Sequence, residues 1–315
     1  MKIFDLHLDL EVYFRIPEFL DMPIKDIKYL DLRRHGDIPQ FKKSNLKFAV
    51  VNIFPFVYQN THWKPIDYKK FLKFLENFQE WIFSYKIFKP VLSKKDLLEI
   101  NKEKDKIGII LGVEGLNFLD SVKKVKDLYD LGIRCFGLNW NIDSIYSTSL
   151  KTEKRFGLTP EGIKLIKKLE ELNVVIDLAH SSIFTIRDVF KVHPKPVIFS
   201  HNGVKKIVNF EQNLSTEIIN KIKQKEGLIG LTLLPYSLSQ NHQKLDIKRF
   251  KQQYDYLSKI ISTNISIGTD FFGFKFRDDF KGARNYLEFS NSLKKIKVNR
   301  NFTFYNAFNF FKNTL

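Results

Sequence analysis

Five motifs along the chain end an apolar run in a residue that can ligate a metal. They are His7-x-Asp9, Glu114, His180, His201 and Asp270, closing the runs KIFDLHLD, IGIILGVEG, NVVIDLAH, PVIFSH and NISIGTD. Imidazole and carboxylate together suit zinc and similar divalent ions. Residues two apart on a strand project the same way, so His7 and Asp9 can chelate one ion. Glu114 has two oxygens with which to bridge a pair of ions, and His180 and His201 can complete the shell of the second ion. Asp270, at the end of the last run, can accept a proton from an activated water. Two ions ~3.5–4 Å apart acidify a water between them and polarise a carbonyl, which is the chemistry of a hydrolase. A lone histidine near a strand end is more often hydrogen-bonded structure. The shared position of all five motifs is what carries the reading.

Those runs must belong to elements that bring their ends together. Each is short and rich in β-branched residues, as buried strands are. Strands are expected at 2–6, 47–54, 107–113, 133–138, 174–178, 196–200, 228–233 and 265–269. Helical periodicity falls between most of them, at 67–86, 94–103, 120–131, 160–172, 182–190, 215–225 and 246–261, with two more helices at 283–295 and 301–313. Strands alternating with helices in this number predict a (β/α)8 TIM barrel, whose sites lie at the C-terminal ends of the strands. Thr159-Pro160 and Ser215 read as helix starts, and Gly132 and Gly227 as helix ends. Residues 8–46, with Pro17, Pro23 and Pro39, read as a long loop with short helical pieces near the barrel mouth. No linker or repeat divides the chain, so 1–315 is expected to be one barrel domain.

Composition narrows the classes further. Apolar residues make up 43% and charged residues 28%, ordinary for a soluble globular protein. No run approaches the roughly 18 apolar residues of a membrane-spanning helix. The first residues read as a strand and not as a signal peptide, so the expected location is cytoplasmic, with no membrane partner. Cys135 is the single cysteine, which excludes an internal disulfide and a cysteine zinc cage; it reads as a small buried apolar residue. The net charge of +17 invites nucleic acid. However, the basic residues are mostly lysines spread in pairs over helices, with no basic tail, so a solvated excess is expected and no nucleic-acid partner. The remaining histidines, His35, His62, His193 and His242, read as surface or structural, with His35 the strongest exception because of its loop.

DLHLD, GVEG, VIDLAHSS, IFSHNG and IGTDFFG resemble, in order, the signature blocks of the membrane (renal) dipeptidases, binuclear zinc peptidases of the amidohydrolase superfamily. GLNWN at 137–141, GLTPEG at 157–162 and QNLS at 212–215 resemble further blocks of bacterial members. The resemblance implies two zinc ions, one on His7, Asp9 and Glu114, the other on Glu114, His180 and His201. It implies that Asp270 orients the bridging hydroxide and handles its proton, so Asp270 and Glu114 are the candidate catalytic residues. It also implies a dipeptide substrate, with bacterial relatives often accepting a D-residue at the C-terminal position, and a homodimer. Two positions depart from the family pattern. A carbonyl-polarising histidine after the fourth strand is replaced by Trp140, flanked by Asn139 and Asn141. The arginine that grips the substrate carboxylate is replaced by Gln212, and a neutral amide cannot make the bidentate charged pair. Asn139, Trp140, Gln212 and Lys205 are the candidate substrate contacts. The leading expectation is a metal-dependent dipeptidase. A TatD-like metal-dependent deoxyribonuclease is the enzymatic rival, although that group opens with His-x-His. A barrel that keeps metal but binds without catalysis is the third reading.

Overall fold

The computed structural model describes residues 1–17, 26–240, 245–261 and 263–315, so Pro23 and His242 lie outside the described residues. The strands are β1 (Ile3–Leu8), β2 (Leu46–Ile53), β3 (Phe56–Gln59), β4 (His62–Pro65), β5 (Phe88–Pro90), β6 (Ile107–Glu114), β7 (Ile133–Gly137), β8 (Val175–Asp177), β9 (Ile198–Asn202), β10 (Leu228–Leu231) and β11 (Ile265–Ile267). The order β2-β1-β11-β10-β9-β8-β7-β6 closes into a ring because β2 also pairs with β6. Every pair in that ring is parallel, so all the strand C-termini open on one face. The chain is a (β/α)8 barrel, and the eight expected strands are its eight staves. In β1, β2 and β6 every residue is buried, as strands with both faces covered require.

Three short strands have no counterpart in the expected set. The hairpin β3–β4 follows β2 directly and has mostly exposed side chains. β5 pairs with the first residues of β6, Phe88 opposite Ile107 and Pro90 opposite Ile109, below the stretch where β7 takes over at Leu111. It therefore lies outside the ring.

Helices surround the ring, most of them starting at a side-chain cap. Among them are α1 (Leu10–Arg15), α2 (Ile38–Ser44), α3 (Tyr68–Ser84), α4 (Lys94–Lys102), α5 (Val125–Asp130), α6 (Pro160–Glu171), α7 (Ile183–Val192), α8 (Thr216–Gln224), α9 (Pro235–Leu238), α10 (Ile247–Ile260), α11 (Tyr286–Lys295) and α12 (Asn306–Thr314). Thr159 Oγ1 accepts the Gly162 N–H at the start of α6, and Ser215 Oγ the Ile218 N–H at the start of α8, so both expected starts are present. α1 and α2 are the short helical pieces of the loop after β1. Gly132 ends α5 in the left-handed region, with φ +100°. Gly227 does not act this way. The left-handed residue after α8 is Glu226, φ 54°, and Gly227 is required for a different reason: a Cβ there would lie 2.9 Å from the Val197 carbonyl oxygen. The expected helix at 301–313 begins as a π-helical turn, Asn301–Tyr305, before α12. Its Phe304, Phe308 and Phe311 pack on Phe4 and Phe48, near the beginnings of β1 and β2. Cys135 is buried in β7, and burial pushes its thiol well above the usual range, as expected of a packing residue. Among the described residues no helix is long and apolar enough to cross a membrane.

Candidate metal centre

Closure of the barrel brings the strand-end residues onto one point. His7 lies in β1, Glu114 is the last residue of β6, and His201 lies in β9. The others stand just past their strands. Asp9 follows β1 at the start of α1, His180 is three residues beyond β8, and Asp270 is three beyond β11. Glu114 Oε1 is 3.0 Å from His180 Nε2, 3.5 Å from His201 Nε2 and 3.7 Å from His7 Nε2. Asp9 Oδ1 is 3.3 Å from His7 Nε2. Ligand atoms of His7, Asp9 and Glu114 lie within 4.8 Å of one another, and so do those of Glu114, His180 and His201. These are the two sets expected from the sequence, sharing Glu114.

The imidazoles are oriented for ligation. Each keeps Nε2 toward the centre and rests Nδ1 on a polar neighbour, the outer support typical of metal-ligating histidines. His180 Nδ1 lies 3.1 Å from Asn141 Oδ1, His201 Nδ1 2.8 Å from Ser200 Oγ, and His7 Nδ1 3.0 Å from that same hydroxyl. The electrostatics ask for a cation. Burial lowers the His7 pKa, but the charges of Asp9 and Glu114 outweigh it and push it up to about 10. Burial, then the neighbouring Asp9 charge, raise the Asp270 carboxyl well above its ordinary range. His201 is pushed well below its ordinary value by burial and by the charges of His7 and His180. Asp9 Oδ1 is buried without a hydrogen bond, and His180 and His201 point their Nε2 atoms at each other 2.8 Å apart. An orphaned carboxylate oxygen and converging imidazole nitrogens form a donor set that fits divalent ions.

The segment after β11 holds the carboxylates in place. Asp270 takes a left-handed backbone, φ 62°, which aspartate tolerates, and Phe272 does so at φ 71°, which a bulky residue rarely does. Two groups fix this path. Asp5, buried in β1, accepts the Thr269 N–H at 2.9 Å and its hydroxyl at 2.6 Å, and the Tyr286 hydroxyl also donates to it. His35 Nδ1 accepts the Phe272 N–H at 2.8 Å while its ring stacks on Phe271, centroids 4.9 Å apart. Burial brings the His35 pKa down to about 3, so it is a neutral structural acceptor. His193 is also buried, at the end of α7, and His62 is exposed in β4, which places both outside the centre. At Gly273 a Cβ would stand 2.2 Å from Asp9 Oδ2 and 2.4 Å from Asp270 Oδ1. Only glycine lets both carboxylates approach here.

Above the centre lies a cavity of about 270 Å³ that reaches Asp9, Glu114, His180, His201 and Asp270. Its wall is mainly aromatic and aliphatic, including Phe54, Trp63, Trp140 and Phe210. Trp140 packs on Phe54, Phe56 and Trp63 with centroids 5.1, 5.0 and 5.9 Å away, so it is part of a fixed wall. Gln212 also lines the cavity, and its Nε2 donates to the His201 carbonyl at 3.0 Å, so its amide braces the end of β9. Two expected substrate contacts sit elsewhere. Asn139 is buried beside the cavity, accepting the Ser147 and Ser181 hydroxyls at 3.0 and 3.1 Å, because the loop after β7 needs an internal tie. Lys205 is exposed and lines a neighbouring depression with Thr152 and Glu211. Asn52, Asn141, Asp177 and Ser200 are site residues that the pattern did not single out. Asp177 carried the clearest signal, as a carboxylate ending the apolar run VVID three residues before His180.

The profile of the family described as membrane dipeptidase (peptidase family M19) matches residues 1–303. An uncharacterised dipeptidase of Schizosaccharomyces pombe is 27% identical over 217 residues, 66% of this chain and 51% of that protein. The chain spans about half or less of the length of the curated relatives it matches. Among solved structures, a dipeptidase of family M19 superposes with TM-score 0.82 and 17% identity, covering 100% of this chain and 98% of that one. A metallopeptidase from Rhodobacter sphaeroides, liganded with a phosphinate mimic of L-Ala-D-Ala, gives TM-score 0.83 at 16% identity, covering 100% and 99%. At these identities the structures speak for the fold.

Proposed function

From the premise that the chain belongs to the membrane dipeptidase family, we propose that it is a metal-dependent dipeptidase that hydrolyses the amide of a small peptide bound in the cavity over Glu114. The observation that carries this reading is the convergence of Glu114 Oε1 and three histidine Nε2 atoms, with Asp9 beside them. His7, Asp9 and Glu114 would hold one ion and Glu114, His180 and His201 the other; imidazole and carboxylate donors favour zinc. When bound, two such ions acidify a water and polarise the substrate carbonyl. Asp270, buried at the rim of the same cavity, takes the water's proton and passes it to the leaving amine. The aromatic wall of Phe54, Trp63, Trp140 and Phe210 excludes water and packs the substrate's side chains. Gln212 shapes the wall without offering a charge to a free carboxylate. The similarity to the Rhodobacter sphaeroides enzyme supports including L,D dipeptides among the candidate substrates.

The test is to reconstitute the protein with zinc, count bound metal, and assay L,L and L,D dipeptides beside single-stranded DNA. We expect about two ions per chain and peptide turnover that a chelator abolishes and zinc restores. Absence of bound metal would sink the site assignment, and nuclease turnover without peptide cleavage would overturn the substrate class.

A further inference from the structure

Ser200 lies in β9, fully buried, immediately before His201. Its Oγ is 3.0 Å from His7 Nδ1 and 2.8 Å from His201 Nδ1, and the Asp177 carboxyl stands beside it as an acceptor for its proton. The backbone N–H groups of Ala179 and Ser200 donate to Asp177 Oδ1 at 3.1 and 3.0 Å, fixing that carboxylate at the end of β8. A serine hydroxyl has one proton to give and two lone pairs with which to accept, whereas a carboxylate only accepts. With Asp177 taking the Ser200 proton, both imidazoles donate to Ser200 from Nδ1. Their free lone pairs then lie on Nε2, the atoms that face Glu114. In this arrangement the Asn52 carboxamide, whose nitrogen is 2.9 Å from His7 Nδ1, turns its oxygen to that ring instead.

We propose that Ser200 and Asp177 form one positioning device that sets the tautomer of a histidine from each of the two metal sites. His7 belongs to the first set and His201 to the second, so a single hydroxyl prepares both. His180 is prepared separately, by Asn141, and serves as the internal control. Asp177 is close enough to His7 and His201 to be taken for a ligand. Its Oδ1 is already committed to two backbone donors, and this assigns it to the support. The inference rests on the two-metal reading of the site above.

The test uses the purified full chain and Ser200→Ala. Zinc affinity is read by competition with a chromogenic chelator, and the histidine ring protons by ¹H–¹⁵N spectra. In the wild type, His7 and His201 should each show a slowly exchanging Nδ1 proton. In Ser200→Ala those two signals should shift or vanish while that of His180 stays. Both zinc ions should bind about 10–100-fold more weakly, the usual cost of losing an outer support. Unchanged affinity, weakening of one ion only, a third zinc bound by the wild type, or an Nδ1 without a proton on either ring would overturn the proposal. If the wild type takes up no zinc, the two-metal reading fails, and the wild-type spectra still decide the role of the hydroxyl. They also decide it if Ser200→Ala does not fold.

Discussion

At the scale of single residues, the centre combines groups whose types were visible in the chain with groups whose roles depend on angstrom distances. Asp270 is legible as a carboxylate that ends an apolar run. Replacing it with Asn preserves shape and removes the proton acceptor, so Asp270→Asn should keep its metal, measured by zinc content, while kcat falls on the order of 10²–10⁴-fold. Retained turnover with full metal content would remove Asp270 from the chemistry. Gly273 carries no chemistry of its own, yet a methyl group there would stand 2.2 Å from Asp9 Oδ2. Gly273→Ala must displace one of the two carboxylates, and on the two-metal proposal we expect zinc affinity to drop at least about 10-fold with the far-ultraviolet dichroism unchanged. Normal affinity in that variant would show that the loop yields without moving Asp9.

At the scale of elements, the strands and most helices follow from local pattern. Runs of β-branched residues are buried on both faces, and Thr159 and Ser215 sit where their hydroxyls reach the first free N–H groups. The misreadings have local causes as well. β5 has three residues, too few for any periodicity, and the β3–β4 hairpin lacks a glycine-bearing turn, since Asn60 and Thr61 take the left-handed positions themselves. The segment carrying Asp270 is held by His35, which reaches it from a distant loop. That contact has a pH signature. The His35 pKa falls from an ordinary 6.5 to about 3 on folding, so between those values the unfolded chain binds the extra proton. The contribution to stability is complete above about pH 6.5 and is lost as pH falls. Between pH 7 and pH 5 the loss should be about 2 kcal/mol. His35→Asn can still accept from Phe272 and does not titrate, so its denaturant midpoint should fall less than that of the wild type over this range. Equal acid sensitivity in both proteins would rule out His35 as the source.

At the scale of the whole molecule, closure places β1 between β2 and β11, so His7 and Asp9 are neighbours of Asp270 although 261 positions separate Asp9 from Asp270. Ions held by such distant segments bind the folded chain far better than the unfolded one. Zinc at 100 times its Kd should therefore stabilise by about 2.7 kcal/mol. The melting temperature should rise by several degrees, and His180→Ala should lose most of that rise. A zinc-independent melting temperature in the wild type would contradict a centre that spans the barrel. The sequence by itself determined the barrel, the family resemblance and the five strand ends with ligand-type residues, because hydrophobic period and residue type are local properties of the chain. It also marked Trp140 and Gln212 as departures from the family pattern. Tertiary structure alone decided that Asn139 and Lys205 stand outside the cavity, that Gly273 is a clearance between two carboxylates, and that Ser200 touches two histidines. These depend on distances between segments far apart in the chain, which only barrel closure sets.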